Sequence, residues 1–239
     1  VLFRSERRRQ GWQDFFSQMC QATDEDGAGW TEKEIFDHFN FLMLAGHDTT
    51  ASALTTLVWG VAAGAPDWQE RLRAEVDETR PRLMAAFEAG DTSAMHTALS
   101  EMRLTAQAFE EAMRYRPPVP FVSRRALRPF GWDGVAIPRG SFLSVPMAIL
   151  MMDAQHFPAP ERFDPGRFAP ESAERRAAPS PFVAFGGGAH KCIGMHFSYA
   201  QVRIVVSALL ARYRIEVLEP DPDWTLVPIT RPRDGLPVV

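Results

Sequence analysis

Hydrophobic and polar positions change rhythm along the chain, and each change marks an element. From Ser5 to Ala22 apolar residues fall at helical spacing, with Trp12, Phe15, Phe16 and Met19 on one stripe ahead of a turn-like Asp24-Glu25-Asp26-Gly27. Thr31 and Glu34 have the spacing of a capping box, which predicts a long helix over 31–63, ended by Gly64 and Pro66. Further helices are predicted over 67–79 and 102–115, the second stopped by Pro117 and Pro118. The rhythm then shortens to β-like runs at 119–123, 134–137 and 141–145, separated by Pro and Gly. Residues 153–189 have little periodicity and are rich in Pro, Gly, Phe and Arg; 153–180 read as an ordered meander. A final helix is predicted over 192–213, with short strands at 215–218 and 236–239. The fold class is mainly α with small β-sheets, and the strand–helix alternation of a nucleotide-binding α/β sheet is missing.

Composition narrows the function classes. With 239 residues, 46% hydrophobic and 23% charged, the chain reads as an ordinary globular protein. A formal net charge of -4 speaks against nucleic-acid binding, which draws on a basic surface. Arg7, Arg8 and Arg9 are read as a solvated helix face rather than a targeting signal. Two distant cysteines, Cys20 and Cys192, do not make a disulfide scaffold and point to a reducing, cytoplasmic compartment. The apolar run from Phe39 to Ala65 carries His47, Asp48, Thr49, Thr50 and Ser52 near its middle, so a core helix is expected there rather than a membrane span. The chain starts at Val1 without a signal peptide and is expected to continue upstream.

The chemistry concentrates between Pro181 and Gly194, where Phe185, Gly186, Gly187, Gly188, His190 and Cys192 fall within one short loop. Glycines ahead of a cysteine let the backbone turn tightly beside a flat ligand. Cys192 is expected at the start of a helix, where unpaired N–H groups and the dipole favour a thiolate. Phe185 is spaced to pack beside the sulfur. A buried structural cysteine is the plain alternative. A phosphate-cradling loop is a second, but no Gly-Lys-Ser/Thr follows the glycines.

This segment resembles the cysteine-ligand loop of the cytochrome P450 superfamily, in the order Phe185, Gly188, Cys192, Gly194. Three other segments share the resemblance. Ala45-Gly46-His47-Asp48-Thr49-Thr50 is similar to the oxygen-binding signature, Glu111 and Arg114 to the Glu-x-x-Arg pair, and Pro165 to Phe168 to the meander's Pro-x-Arg-Phe. The resemblance implies a P450 fold represented by its C-terminal part, incomplete at the N-terminus, and a haem b cofactor with Cys192 as axial ligand. It implies Ala45, Gly46, Arg124, Phe185, Gly188, His190 and Gly194 against the haem, with His190 and Arg124 on its propionates; Arg125 replaces Arg124 if the register shifts by one. Asp48 and Thr49 become the pair that binds dioxygen and relays protons to it. Glu111, Arg114 and Arg167 become a buried structural set, Arg162 being the weaker choice for its third member. Val119, Phe121 and Val122 become the substrate wall, core packing being their alternative. The implied reaction is haem-thiolate monooxygenation of a small apolar substrate by dioxygen, with electrons from a ferredoxin or flavoprotein reductase and no nucleic-acid partner. The alternatives are a peroxide-driven peroxygenase, or an inert fragment, since the family's earlier helices are not matched. Ser198 and Gln201 depart from the family's usual Ala and Glu without touching the ligand set.

Overall fold

The computed structural model describes residues 14–176 and 180–239. The first nine residues of the helix expected from Ser5, with Arg7 to Arg9 and Trp12, lie outside them. The chain divides into two compact units, one ending at Asp48 and the other running Thr49–Val239.

In the first unit, α1 (Phe15–Gln21) starts where the Asp14 carboxylate accepts the Ser17 N–H at 2.9 Å. The capping box forms: the Thr31 N–H donates to Glu34 Oε2 at 2.8 Å, and the Glu34 N–H to Thr31 Oγ1 at 3.2 Å. It opens α2 (Glu32–Trp59), which continues into the second unit.

The expected helix over 31–63 changes winding before its end, since Gly60–Gly64 form a π turn. Packing explains the change. A Cβ on Gly60 would lie 2.2 Å from Phe163 Cζ, and the Phe163 ring meets Trp59 and Tyr115 edge-on. The widened turn therefore seats a meander side chain in space that only glycine leaves. Gly60→Ala is expected to cost about 1–3 kcal/mol by overpacking, read as a lower denaturant midpoint. An unchanged midpoint would mean the ring moves aside freely.

α3 (Asp67–Glu88) outruns its predicted end because Pro81 does not stop it. Leu72, Val76, Thr79 and Leu83 are buried along one face on both sides of the proline, and that burial outweighs the missing hydrogen bond. α4 (Thr92–Glu101) was not predicted; Asp91 caps it on the Ala94 N–H at 2.9 Å. α5 (Arg103–Tyr115) takes its cap from a distance. Glu75 of α3 accepts the N–H groups of Leu104 and Thr105 at 2.6 and 2.8 Å. These helices bury Leu57, Leu72, Val76, Phe109 and Ala112 with Val202, Val206 and Leu210 of α8 (Met195–Leu210) in one core.

Two small ladders follow α5. β1 (Val122–Arg125) pairs antiparallel with a later strand, Phe142–Val145, in the register Val122↔Val145. It starts after the predicted residue 119 because Pro118 and Pro120 cannot donate to a ladder. β2 (Phe130–Trp132) and β3 (Val135–Ile137) form a hairpin over Asp133-Gly134, both at positive φ; with them in place, Phe142–Val145 is β4. A second apolar cluster gathers Met147, Met151, Phe157 and Phe168, with α6 (Met147–Leu150) at its edge.

α8 starts and stops inside its predicted range of 192–213. At its end, Arg73 of α3 donates to the carbonyl oxygens of Leu210 and Tyr213 at 2.7 and 2.5 Å. The C-terminal segment then doubles back over the early helices. Gln69 exchanges hydrogen bonds with the Ile215 backbone, Trp59 Nε1 donates to the Pro220 carbonyl at 2.8 Å, and Ser52 donates to the Thr230 carbonyl. The Thr230 hydroxyl donates to the Pro117 carbonyl at 2.6 Å. Val217 bridges Val238, and β5 (Trp224–Thr225) pairs with β6 (Arg231–Pro232).

Candidate functional site

α5 delivers two charged side chains to one point, since residues three apart share a helix face. Arg114 Nε donates to Glu111 Oε2 at 2.7 Å and Nη2 to Oε1 at 2.9 Å, a two-pronged pair with both side chains fully buried. The remaining guanidinium protons hold the loop that follows the sheets: Nη1 donates to the Met151 carbonyl at 3.0 Å and Nη2 to the Pro160 carbonyl at 2.8 Å. Glu111 Oε1 also accepts the Asp164 N–H at 2.8 Å. Burial pushes the Glu111 carboxyl up from its ordinary value, while Arg114, the Asp164 N–H and Arg167 draw it back down.

Arg167 approaches from the short 3₁₀ turn Pro165–Phe168. Its Nε lies 3.6 Å from Glu111 Oε1, and its two Nη groups bind the Pro158 and Ala159 carbonyls at 2.5 and 2.7 Å. Arg162 is exposed, and only its carbonyl reaches the set, toward Arg114 at 3.4 Å. Glu111, Arg114 and Arg167 thus meet in the interior, and the meander is built on them.

The cysteine loop is closed by its own backbone. The Cys192 N–H donates to the Phe185 carbonyl at 2.9 Å, and the Gly186 N–H to the Val183 carbonyl at 2.8 Å. Gly186 and Gly188 lie in the left-handed region at φ 70° and 63°, where a side chain is strained; Gly187 is extended. Cys192 is an exposed thiol. It does not sit in the helix as expected: Gly194 is the N-cap, α8 begins at Met195, and the Cys192 N–H is bonded to Phe185 instead. The sulfur lies 3.8 Å from the point where a side chain on Gly194 would begin. His190 is exposed in the 3₁₀ turn Gly188–His190.

Phe185 reaches inward. Its ring lies 6.2 Å from Phe109, 5.8 Å from Tyr199 and 6.3 Å from Phe182, and Phe182 meets Phe168 of the second cluster at 5.0 Å. A row of rings therefore links α5, α8, the loop and the meander.

The other expected residues stand on α2 and β1. Ala45 and Gly46 are part-exposed, and a Cβ built on Gly46 meets nothing within 4 Å, so that stretch of helix surface is open. Asp48 is exposed and its carboxylate engages His47 Nδ1 at 2.7 Å. Thr49 opens the second unit and is part-buried. Val119 and Phe121 are exposed ahead of β1, whereas Val122 packs on the Met147–Phe168 cluster. Strand alternation puts Arg124 on the face of Val122 and Arg125 on the other. Arg124 is exposed and donates to the Ser123 carbonyl at 2.8 Å.

The donors suit a haem iron. Among the described residues no three His, Cys, Asp or Glu side chains group to chelate an ion, so Cys192 offers a single sulfur on a fixed loop. One sulfur serves a metal whose other ligands come with a macrocycle.

Known proteins resemble this chain along nearly all of its length. The family model described as Cytochrome P450 matches residues 3–232. A "Putative cytochrome P450 136" of Mycobacterium tuberculosis is 32% identical over 98% of this chain and 46% of its own length. The "Taurochenodeoxycholic 6 alpha-hydroxylase" of Sus scrofa is 35% identical over 90% of this chain and 40% of its own. The chain spans about half the length of the curated relatives it matches. Among solved structures, a retinoic acid-bound cyanobacterial CYP120A1 superposes with a TM-score of 0.82 at 25% identity, over 99% of this chain and 54% of that one. A cytochrome P450DA heme domain gives 0.85 at 23% identity, over 99% and 52%, a likeness of fold.

Proposed function

The chain belongs to the cytochrome P450 family, and from that premise we propose that the full-length protein is a haem-thiolate monooxygenase acting on a small apolar substrate. The observation that carries the proposal is the exposed Cys192 thiol on a loop closed by the bond from its own N–H to Phe185. Haem b, bound there, would supply the reductive activation of dioxygen, and the thiolate would lend it electron density.

The chain's own residues would divide the remaining work. Cys192 would hold the iron, Phe185 would pack beside the sulfur, and Gly188 and Gly194 would keep the main chain close to the ring. His190 and Arg124 would pair with the propionates through charge-assisted contacts. Ala45 and Gly46 would leave room for dioxygen. The Thr49 hydroxyl would hold a proton beside it, and the Asp48 carboxylate would pass protons in from solvent; the exposure of Asp48 supports that path. Val119 and Phe121 would face substrate, with Val122 as their packed support. Electrons would come from a ferredoxin or flavoprotein reductase, in a cytoplasmic setting that keeps Cys192 a thiol.

Reduced under carbon monoxide, the full-length protein is expected to absorb at the position typical of thiolate-ligated haem. A haem-loaded sample without that band would overturn the proposal. Thr49→Ala is expected to keep haem and substrate binding while electrons are diverted to hydrogen peroxide, because protons are no longer delivered in order. Electron use still fully coupled to product in that variant would remove Thr49 from the mechanism.

A further inference from the structure

Two neighbouring glutamates on α5 point to different anchors. Glu111 holds the meander through Arg114 and Arg167. Glu110 is also buried, 6% exposed, and turns instead toward α8 and the short helix α7 (Ala173–Arg176). Tyr199 of α8 donates its hydroxyl proton to Glu110 Oε1 at 2.6 Å, and Arg175 Nη1 donates to the same oxygen at 2.9 Å. The three side chains form part of the wall of an 820 Å³ cleft that also touches Phe185 and Lys191.

This carboxylate leads back to the cysteine. The Tyr199 ring, pinned by its hydroxyl, packs edge-on against Phe109 at 5.1 Å and lies tilted against Phe185 at 5.8 Å. Phe185 in turn presents the carbonyl that takes the Cys192 N–H. A path of one ion pair, one hydrogen bond, one ring contact and one backbone bond thus runs from Arg175 to the sulfur-bearing residue. Burial and the Glu110 carboxylate push the Tyr199 phenol well above its ordinary value, so it remains a donor across the working pH range.

We propose that Glu110, Tyr199 and Arg175 are positioning residues for the cysteine loop, fixing Phe185 and thereby the direction in which Cys192 presents its sulfur. The inference rests on the haem-thiolate reading, and its spectrum separates the two. In haem-loaded full-length protein, Tyr199→Phe keeps the ring and removes only the hydroxyl. The ratio of thiol-type to thiolate-type absorption in the reduced carbon monoxide complex is expected to rise roughly tenfold, the scale of one hydrogen bond to a charged group. Arg175→Ala, at a half-exposed side chain that folding tolerates, is expected to move the ratio the same way by less.

Tyr199→Phe combined with Glu110→Ala is expected to do little more than Glu110→Ala alone, since loss of the carboxylate already breaks the links to both Tyr199 and Arg175. A purely structural role would lower the unfolding midpoint and leave the ratio where it was. That result, in variants that retain haem, overturns the positioning role and spares the haem-thiolate reading. A wild-type protein without the thiolate band sinks both.

Discussion

Arg167→Ala is expected to yield full-length protein that misfolds or fails to retain haem, a loss of about 3–5 kcal/mol, whereas Arg162→Ala costs at most about 1 kcal/mol. The two arginines stand five positions apart in the same Pro- and Phe-rich stretch, yet their surroundings differ completely. Arg167 is 6% exposed, lies 3.6 Å from a fully buried carboxylate and binds two loop carbonyls. Removing it leaves the buried Glu111 carboxylate with one countercharge fewer and takes the guanidinium partner from the Pro158 and Ala159 carbonyls. Arg162 contributes its main-chain carbonyl, which alanine supplies equally well. Arg114→Ala is expected to be at least as damaging as Arg167→Ala, because Arg114 carries the two-pronged bond to Glu111 and the ties to Met151 and Pro160. Denaturant midpoints and haem content of the three variants make the comparison. Small, equal effects from Arg162 and Arg167 would show that the meander does not depend on this set.

Cys192→Ala is expected to abolish the thiolate-type band completely, while Cys20→Ala leaves it unchanged. The contrast follows from placement. Cys20 is buried within α1, whereas Cys192 is exposed on a loop whose turn is set by Gly186 and Gly188 at positive φ and by backbone bonds that do not involve the sulfur. Replacing the sulfur therefore leaves the loop's frame standing, and the loss reads as loss of a ligand rather than of a fold. Alanine at 192 with the band intact would transfer the ligand's role to another residue.

The sequence carried the local features well and the distant ones poorly. Thr31 and Glu34 announced a helix start because both partners of the cap lie within one turn. The loop from Phe185 to Gly194 could be read because its glycines and its cysteine are contiguous. Nothing local showed that Glu75 would cap α5 or that Glu110 would find Tyr199, partners separated by 29 and 89 positions. The helix predicted over 67–79 falls short because the buried face that carries α3 through Pro81 is set by distant packing. The π turn at Gly60 depends on Phe163, a partner far along the chain. The hairpin missed at Phe130 did have a signal, Asp133-Gly134, which is a two-residue turn in its own right.

The doubling back of the C-terminal segment has a consequence for the order in which the molecule is made. Gln69, Arg73 and Trp59 leave the ribosome before their partners at Ile215, Leu210, Tyr213 and Pro220, which emerge between 137 and 161 residues later. During that interval the nascent helices carry polar groups whose final partners are not yet synthesised, beside apolar faces that α8 has not yet covered. This core therefore cannot close until α8 and the segment to Pro220 have been made, and the earlier helices stay exposed to aggregation while those 137 to 161 residues are added. Ribosome-bound chains stalled before Ile215 should remain sensitive to protease, and those extended past Thr230 should become resistant.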